Sequence, residues 1–199
     1  MRIVVITGSE GHLGRALRAA FEALGDTVLG IDMPRTGAEI ERDLDSAAPW
    51  GDIPSADIVI CNAKTWEWTW HHALAMRARH CIINIASIYA LLGSDPRMYD
   101  GTEVEPTPAW YAASKGALIA LTRWQATNLA PVRSNAVCPG GILRGHSVEF
   151  RARYNEKVPL ERMAREDDIV PLILFLASDD AAYITGQCIA VDGGLSVLA

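Results

Sequence analysis

The sequence predicts an α/β fold: a doubly wound parallel sheet covered by helices on both faces, three layers in one domain. Three observations carry this. Short apolar, β-branched runs recur along the chain, helical periodicities lie between them, and glycine-containing turns mark several junctions. Alternating strands and helices imply right-handed crossovers and a sheet buried on both sides.

Each element follows in order. "RIVVIT" (2–7) is a buried strand ending at glycine. "GHLGRALRAAFEALG" (11–25) places Leu13, Leu17, Ala20 and Leu24 at helical spacing, with Gly25 as a stop. "TVLGID" (27–32), "ADIVICNA" (56–63), "CIINIAS" (81–87), "NAVCPGG" (135–141) and "CIAVDGG" (188–194) read as further strands. Helical patterns span roughly 66–79, 108–130 and 166–177. Thr107 is a candidate N-cap, with Pro108 at the first helical position. Tyr111 and Lys115 then stand one turn apart on one face near that helix start. There are no repeats, low-complexity segments or linkers.

The totals exclude several function classes. The 199 residues suffice for one full core. Half are hydrophobic and 21% are charged, the profile of a soluble globular protein. A net charge of −6 with no basic run argues against a nucleic-acid partner. No apolar run has the length of a membrane span, and the N-terminus enters a strand too early for a signal peptide. Cys61, Cys81, Cys138 and Cys188 are far apart and sit in or beside apolar runs, as buried free thiols of a cytoplasmic protein would. His71 and His72 lack partners at metal-ligand spacing, so no metal is expected.

Between the first strand and helix, "TGSEGHLG" (7–14) sets Gly8, Gly11 and Gly14 at G-x-x-G-x-x-G spacing. Such glycines permit a tight turn and close approach of backbone amides to a pyrophosphate at a helix N-terminus. Asp32 ends the second strand, eighteen residues after Gly14. A carboxylate there accepts hydrogen bonds from ribose hydroxyls and repels a 2′-phosphate, which favours NAD over NADP; Arg35 keeps NADP open.

The glycine turn, "NIAS" (84–87), "YAASK" (111–115), "NAVCPGGI" (135–142) and "YITGQCIAVDGG" (183–194) occur in an order that resembles the short-chain dehydrogenase/reductase family over essentially the whole length. The resemblance implies a Rossmann-type fold and an NAD(H)-dependent enzyme interconverting an alcohol and a carbonyl. It matches Ser87, Tyr111 and Lys115 to the catalytic residues. It places Ser9, His12 and Leu13 in the pyrophosphate turn, and Asp43 and Leu44 at the adenine. Asn62 and Ala63 match the turn beside the cofactor; Pro139, Gly140 and Ile142 match the loop at the nicotinamide carboxamide. It also implies a small-molecule substrate and a homo-oligomer, a dimer or tetramer. The residue types suit that chemistry. A phenol has an ordinary pKa near 10; a cation one helical turn away, together with the positive oxidised nicotinamide, is expected to lower it toward proton exchange at neutral pH. A serine hydroxyl can fix a substrate oxygen.

Three departures stand out. The glycine spacing, with His12 where classical members carry glycine, is closer to the branch acting on nucleotide sugars, so an epimerase or dehydratase using NAD transiently is an alternative. Residues 63–80 are short, contain no relay asparagine and put Lys64 where the family usually has glycine. That departure also motivates a non-catalytic dinucleotide-binding protein. The segment between Ser87 and Tyr111 is long and rich in Gly, Asp and Pro. Substrate loops are therefore expected at about 88–108 and 141–164, with Arg144 or Arg151 able to meet a phosphate or carboxylate. A weaker resemblance to a surface-glycan and flagellar-sugar subgroup implies a sugar-type substrate. Trp66, Trp68 and Trp70 favour core filling or a subunit contact over a sugar platform.

Overall fold

A computed structural model describes residues 1–34, 36–41, 53–64 and 68–198, without side-chain detail for 41 and 68–70. Asp43, Leu44, Arg35 and Trp66, and the side chains of Trp68 and Trp70, lie outside the described residues.

The strands are β1 (Ile3–Thr7), β2 (Thr27–Asp32), β3 (Ile40–Glu41), β4 (Ala56–Cys61), β5 (Ala78–Ile85), β6 (Arg133–Pro139) and β7 (Cys188–Val191). All pairings are parallel, in the spatial order β3-β2-β1-β4-β5-β6-β7. The chain therefore moves outward from β1 to β3 and returns to β4 on the other side of β1. That reversal opens a crevice at the carboxyl ends of β1 and β4, where ligands of such sheets bind. The two-residue β3 was not legible as a strand because so short a segment carries no periodicity.

The helices are α1 (His12–Ala23), α2 (Trp68–Ala75), α3 (Ala109–Asn128), α4 (Val148–Lys157) and α5 (Glu166–Leu176). On one face, Leu13, Leu17 and Phe21 of α1 meet Ile169, Ile173 and Leu176 of α5 over Val4, Ile6, Ile60 and Ile83. On the other, Leu74 of α2 covers Val5, Val59 and Cys61, and Leu118 and Leu121 of α3 cover Ala136 and Cys138. Both faces of the central strands are thus apolar, which explains why their sequences do not alternate.

Two helix boundaries differ from expectation. α2 stops at Ala75 and β5 already begins at Ala78. At α3, Pro108 is the N-cap, in extended conformation (φ −70°, ψ 148°), and Thr107 makes no cap. The Thr107 hydroxyl is instead engaged with the Tyr99 phenol at 3.1 Å, so a tertiary contact overrides the local capping preference.

The segments 88–108 and 141–164 share a small core of their own. Ile88, Met98 and Tyr99 pack with Phe150, Tyr154, Val158 and Met163. Lys157 pairs with Asp95, the Arg153 guanidinium donates to the Asp100 carbonyl, and Glu103 accepts the Ser147 N–H at 2.9 Å. α4 lies within the second segment. Among the described residues, no helix is long and apolar enough to cross a membrane.

Candidate functional site

The glycine turn is shaped by what it excludes. Gly8 adopts φ +64°, and a Cβ there would come within 3.0 Å of the Ala63 Cα and the Asn62 side chain. A Cβ on Gly14 would lie 2.0 Å from the Gly8 carbonyl oxygen, which no L side chain tolerates. Asn62 braces the turn from the end of β4. Its amide donates to the Thr7 and Gly8 carbonyls, each at 3.0 Å. The Thr7 hydroxyl in return accepts the Asn62 and Ala63 backbone N–H groups at 2.9 and 3.0 Å. Asn62 therefore ties β1 to β4 at their shared crevice.

The N-terminus of α1 has no side-chain cap and no acidic residue in its first turn. Its amides, with Gly11, His12 and Leu13 on the cleft wall, face a space that suits an anion. Asp32 stands beside it with a fixed orientation: its carboxylate accepts the Glu10 N–H at 2.7 Å and the Met33 N–H at 2.8 Å. An uncapped helix start, a turn with no room for a side chain and an anchored carboxylate together fit a dinucleotide. The pyrophosphate would meet the α1 start and the ribose would meet Asp32.

The opposite wall carries Ser87, Tyr111 and Lys115. Ser87 follows β5 and starts a short 3-10 turn, its hydroxyl accepting the Tyr89 N–H at 3.2 Å. Lys115 is 4% exposed, and its ammonium donates to the Ile85 carbonyl at 2.7 Å. It lies 5.6 Å from the Tyr111 ring centroid. Burial pushes the Lys115 amine down to about 8; the nearby Cys138 and Cys61 thiols oppose this and Lys64 adds to it. The Tyr111 phenol is moved up, not down: burial dominates, and the Ser87 hydroxyl only partly opposes it. The ammonium is committed to a backbone carbonyl, and desolvation decides the direction.

Most expected site residues converge on this one cleft, of about 630 Å³, within the range of roughly 300–1,000 Å³ usual for ligand sites. Gly8, Gly11, His12, Leu13, Asp32, Asn62 and Ala63 form one side; Ser87, Tyr111 and Lys115 form the other. Pro139, Gly140 and Ile142 close it from the end of β6. Two expected residues do not line it. Ser9 is fully buried beneath the turn, donating to Glu10 at 3.4 Å, and Gly14 serves packing alone.

Sequence reasoning missed other parts of the wall. Tyr154 of α4 is buried, and its phenol accepts the Gly141 N–H; a Cβ at Gly141 would strike its ring at 2.7 Å. Tyr89 and Tyr99 line the mouth with their hydroxyls 2.7 Å apart. The aromatic density of the inserted segments was their only signal. Arg144 lines the cleft but is paired with Glu166 at 3.2 Å, while Arg151 faces a separate hollow.

Comparison with known proteins agrees with this construction. Residues 70–196 match the family model described as enoyl-(acyl carrier protein) reductase. An uncharacterized short-chain type dehydrogenase/reductase of Sinorhizobium fredii is 29% identical, with 97% of this chain and 43% of the relative covered. Meso-2,3-butanediol dehydrogenase of Serratia marcescens is 34% identical over 79% of this chain and 59% of its own. The chain thus spans about half the length of the curated relatives it matches. A crystal structure of a short chain dehydrogenase from Leptospira borgpetersenii with bound NAD+ superposes with a TM-score of 0.80 at 25% identity, covering 98% of this chain and 92% of that one. On the ordered motifs, the sheet order, the cleft they build and these matches, the chain belongs to the short-chain dehydrogenase/reductase family.

Proposed function

We propose that the protein is an oxidoreductase interconverting an alcohol and a carbonyl with NAD(H). The observation that carries this reading is the convergence of Ser87, Tyr111 and Lys115 on one wall of a cleft whose other wall is an uncapped helix start beside an anchored carboxylate. When bound, the nicotinamide supplies or accepts the hydride.

The chain's own residues handle position and the proton. The Ser87 hydroxyl hydrogen-bonds the substrate oxygen and orients it. Tyr111 Oη gives its proton to that oxygen in reduction and takes it back in oxidation. A phenol held above its ordinary value stays protonated at neutral pH, the form that reduction requires. Lys115, with an amine held near 8, can exchange a proton in the working pH range and restore the phenol. The Asp32 carboxylate favours NAD by repelling a 2′-phosphate. The segments 88–108 and 141–164, joined by their shared core, border the mouth and act as the substrate loops.

The test is Tyr111→Phe. It should bind NADH as the parent does and lose about 10²–10⁴-fold in turnover, the usual contribution of a positioned acid. Full turnover by this variant sinks the mechanism.

A further inference from the structure

Lys64 is the feature of the cleft that the chemistry above does not use. It follows the Asn62–Ala63 turn, is exposed, and lines the cleft. Its ammonium stands 5.5 Å from the Trp110 ring centroid and 5.5 Å from that of Tyr111. Trp110 and Tyr111 meet edge to face with centroids 6.0 Å apart, so two aromatic faces hold the end of a flexible side chain in one place. Arg144, another cation of the cleft, is paired with Glu166. No salt bridge joins Lys64 to a carboxylate among the described residues.

This placement has an electrostatic cost. Lys115 lies 5.6 Å from the same Tyr111 ring, so two ammonium groups flank one phenol. Lys64 is among the groups that weaken Lys115's hold on its proton. Like charges around one ring repel unless a negative group joins them. An anion drawn into the cleft would offset that repulsion and gain a charge-assisted hydrogen bond in a partly desolvated setting.

Resting on the oxidoreductase reading, we infer that the substrate carries an anionic group close to its reacting carbon, and that Lys64 binds that group. A substrate oxygen bonded to the Tyr111 phenol and the Ser87 hydroxyl would share the cleft with the Lys64 ammonium, which stands 5.5 Å from the Tyr111 ring centroid. A 2- or 3-oxo acid with its hydroxy acid, or a phosphorylated ketone with its alcohol, satisfies this geometry. Both present the same chemistry: a compact negative charge one to three bonds from the carbonyl. Lysine suits it as a compact point charge.

Calorimetry on the wild-type enzyme tests this without turnover, because ketones cannot be reduced in the complex with NAD+. The first titration measures NAD+ binding alone; its failure would strike the oxidoreductase reading itself and take this assignment with it. Acetoacetate and pyruvate, each against its methyl ester, and dihydroxyacetone phosphate against dihydroxyacetone, are then titrated into the NAD+ complex. The anionic member of at least one pair should bind about tenfold or more tightly than its neutral twin. Which pair responds separates carboxylate from phosphate. Lys64→Gln should abolish the preference, Lys64→Arg should keep it, and NAD+ affinity should stay within about twofold in both. The assignment is overturned if no anionic member binds, if the neutral twins bind equally well, or if the preference survives Lys64→Gln. A loss of NAD+ affinity in Lys64→Gln equal to the loss of anion affinity also overturns it, since the lysine would then serve the cofactor.

Discussion

At the glycine-turn wall, Gly8, Gly14 and Asn62 are held by contacts with no space for one added methyl group. At the facing wall, Ser87, Tyr111 and Lys115 are held more by environment than by contact: one short bond to the Ile85 carbonyl, a hydroxyl beside a phenol, and burial. The first wall, the Asp32 carboxylate apart, is a steric device made of uncharged groups packed in close contact. The second is an electrostatic device whose behaviour depends on how much water it excludes. Substitutions at the first should change stability and binding with little dependence on pH; those at or behind the second should show up as pH dependence.

The largest effect is expected at Gly14→Ala. Its methyl would be driven into the Gly8 carbonyl, a backbone atom that cannot step aside. Overpacking of this kind costs about 3 kcal/mol, which for a chain of this size lowers Tm by roughly 10 °C. Thermal unfolding measured at pH 6, 7 and 8 should show the same loss at each; an unchanged Tm would mean the turn is looser than its contacts imply.

Asn62→Ala comes next. It removes both donors that tie the Gly8 turn to β4 and leaves the Thr7 and Gly8 carbonyls short of a partner. A loss of about 2 kcal/mol in denaturant unfolding is expected, together with weaker NADH binding. Stability loss with unaltered NADH affinity would show that the brace serves the sheet alone.

At neutral pH the smallest effect is expected at His71, which tests the second wall from behind and shows only as the pH falls. His71 of α2 is 3% exposed, and neither ring nitrogen has a hydrogen-bond partner among the described residues. Its carbonyl accepts from the Cys61 thiol at 3.6 Å. Burial, reinforced by the charge of Lys115, pushes its imidazole down to about 3. Between about 3 and the ordinary value of about 6.5 the unfolded chain binds a proton that the folded chain refuses, so stability rises with pH across that window. The slope from this one group is about 1.4 kcal/mol per pH unit, lost progressively as pH falls below 6.5. His71→Leu should flatten that part of the curve. An unchanged slope would assign the acid sensitivity to another group and blur the contrast between the walls.

Much of the steric wall was readable from residue order. Glycines at 8, 11 and 14 after an apolar strand announce a turn whose backbone must approach something closely, and Asp32 closes the second strand wherever that strand ends. The core strands were equally plain because burial on both faces leaves unbroken Val and Ile runs. Thr107 misled because Tyr99, eight residues earlier, captured its hydroxyl. α4 was missed because its mean composition is polar and its apolar contacts, Phe150 and Tyr154, are made to a distant segment rather than to a neighbouring helix.

By itself, the sequence determined the order of the strands and helices other than β3 and α4, the parallel sheet, the glycine turn and the one-turn spacing of Tyr111 and Lys115. These follow from local sterics and from the period of apolar residues, which act over a few positions. The tertiary structure alone decided that Tyr111 is buried, which pushes its phenol up, that Lys115 spends its ammonium on Ile85, that Arg144 is neutralised, and that Lys64 hangs over Trp110 and Tyr111. Desolvation and pairing depend on which distant segments come to surround a group, and no spacing along the chain records that.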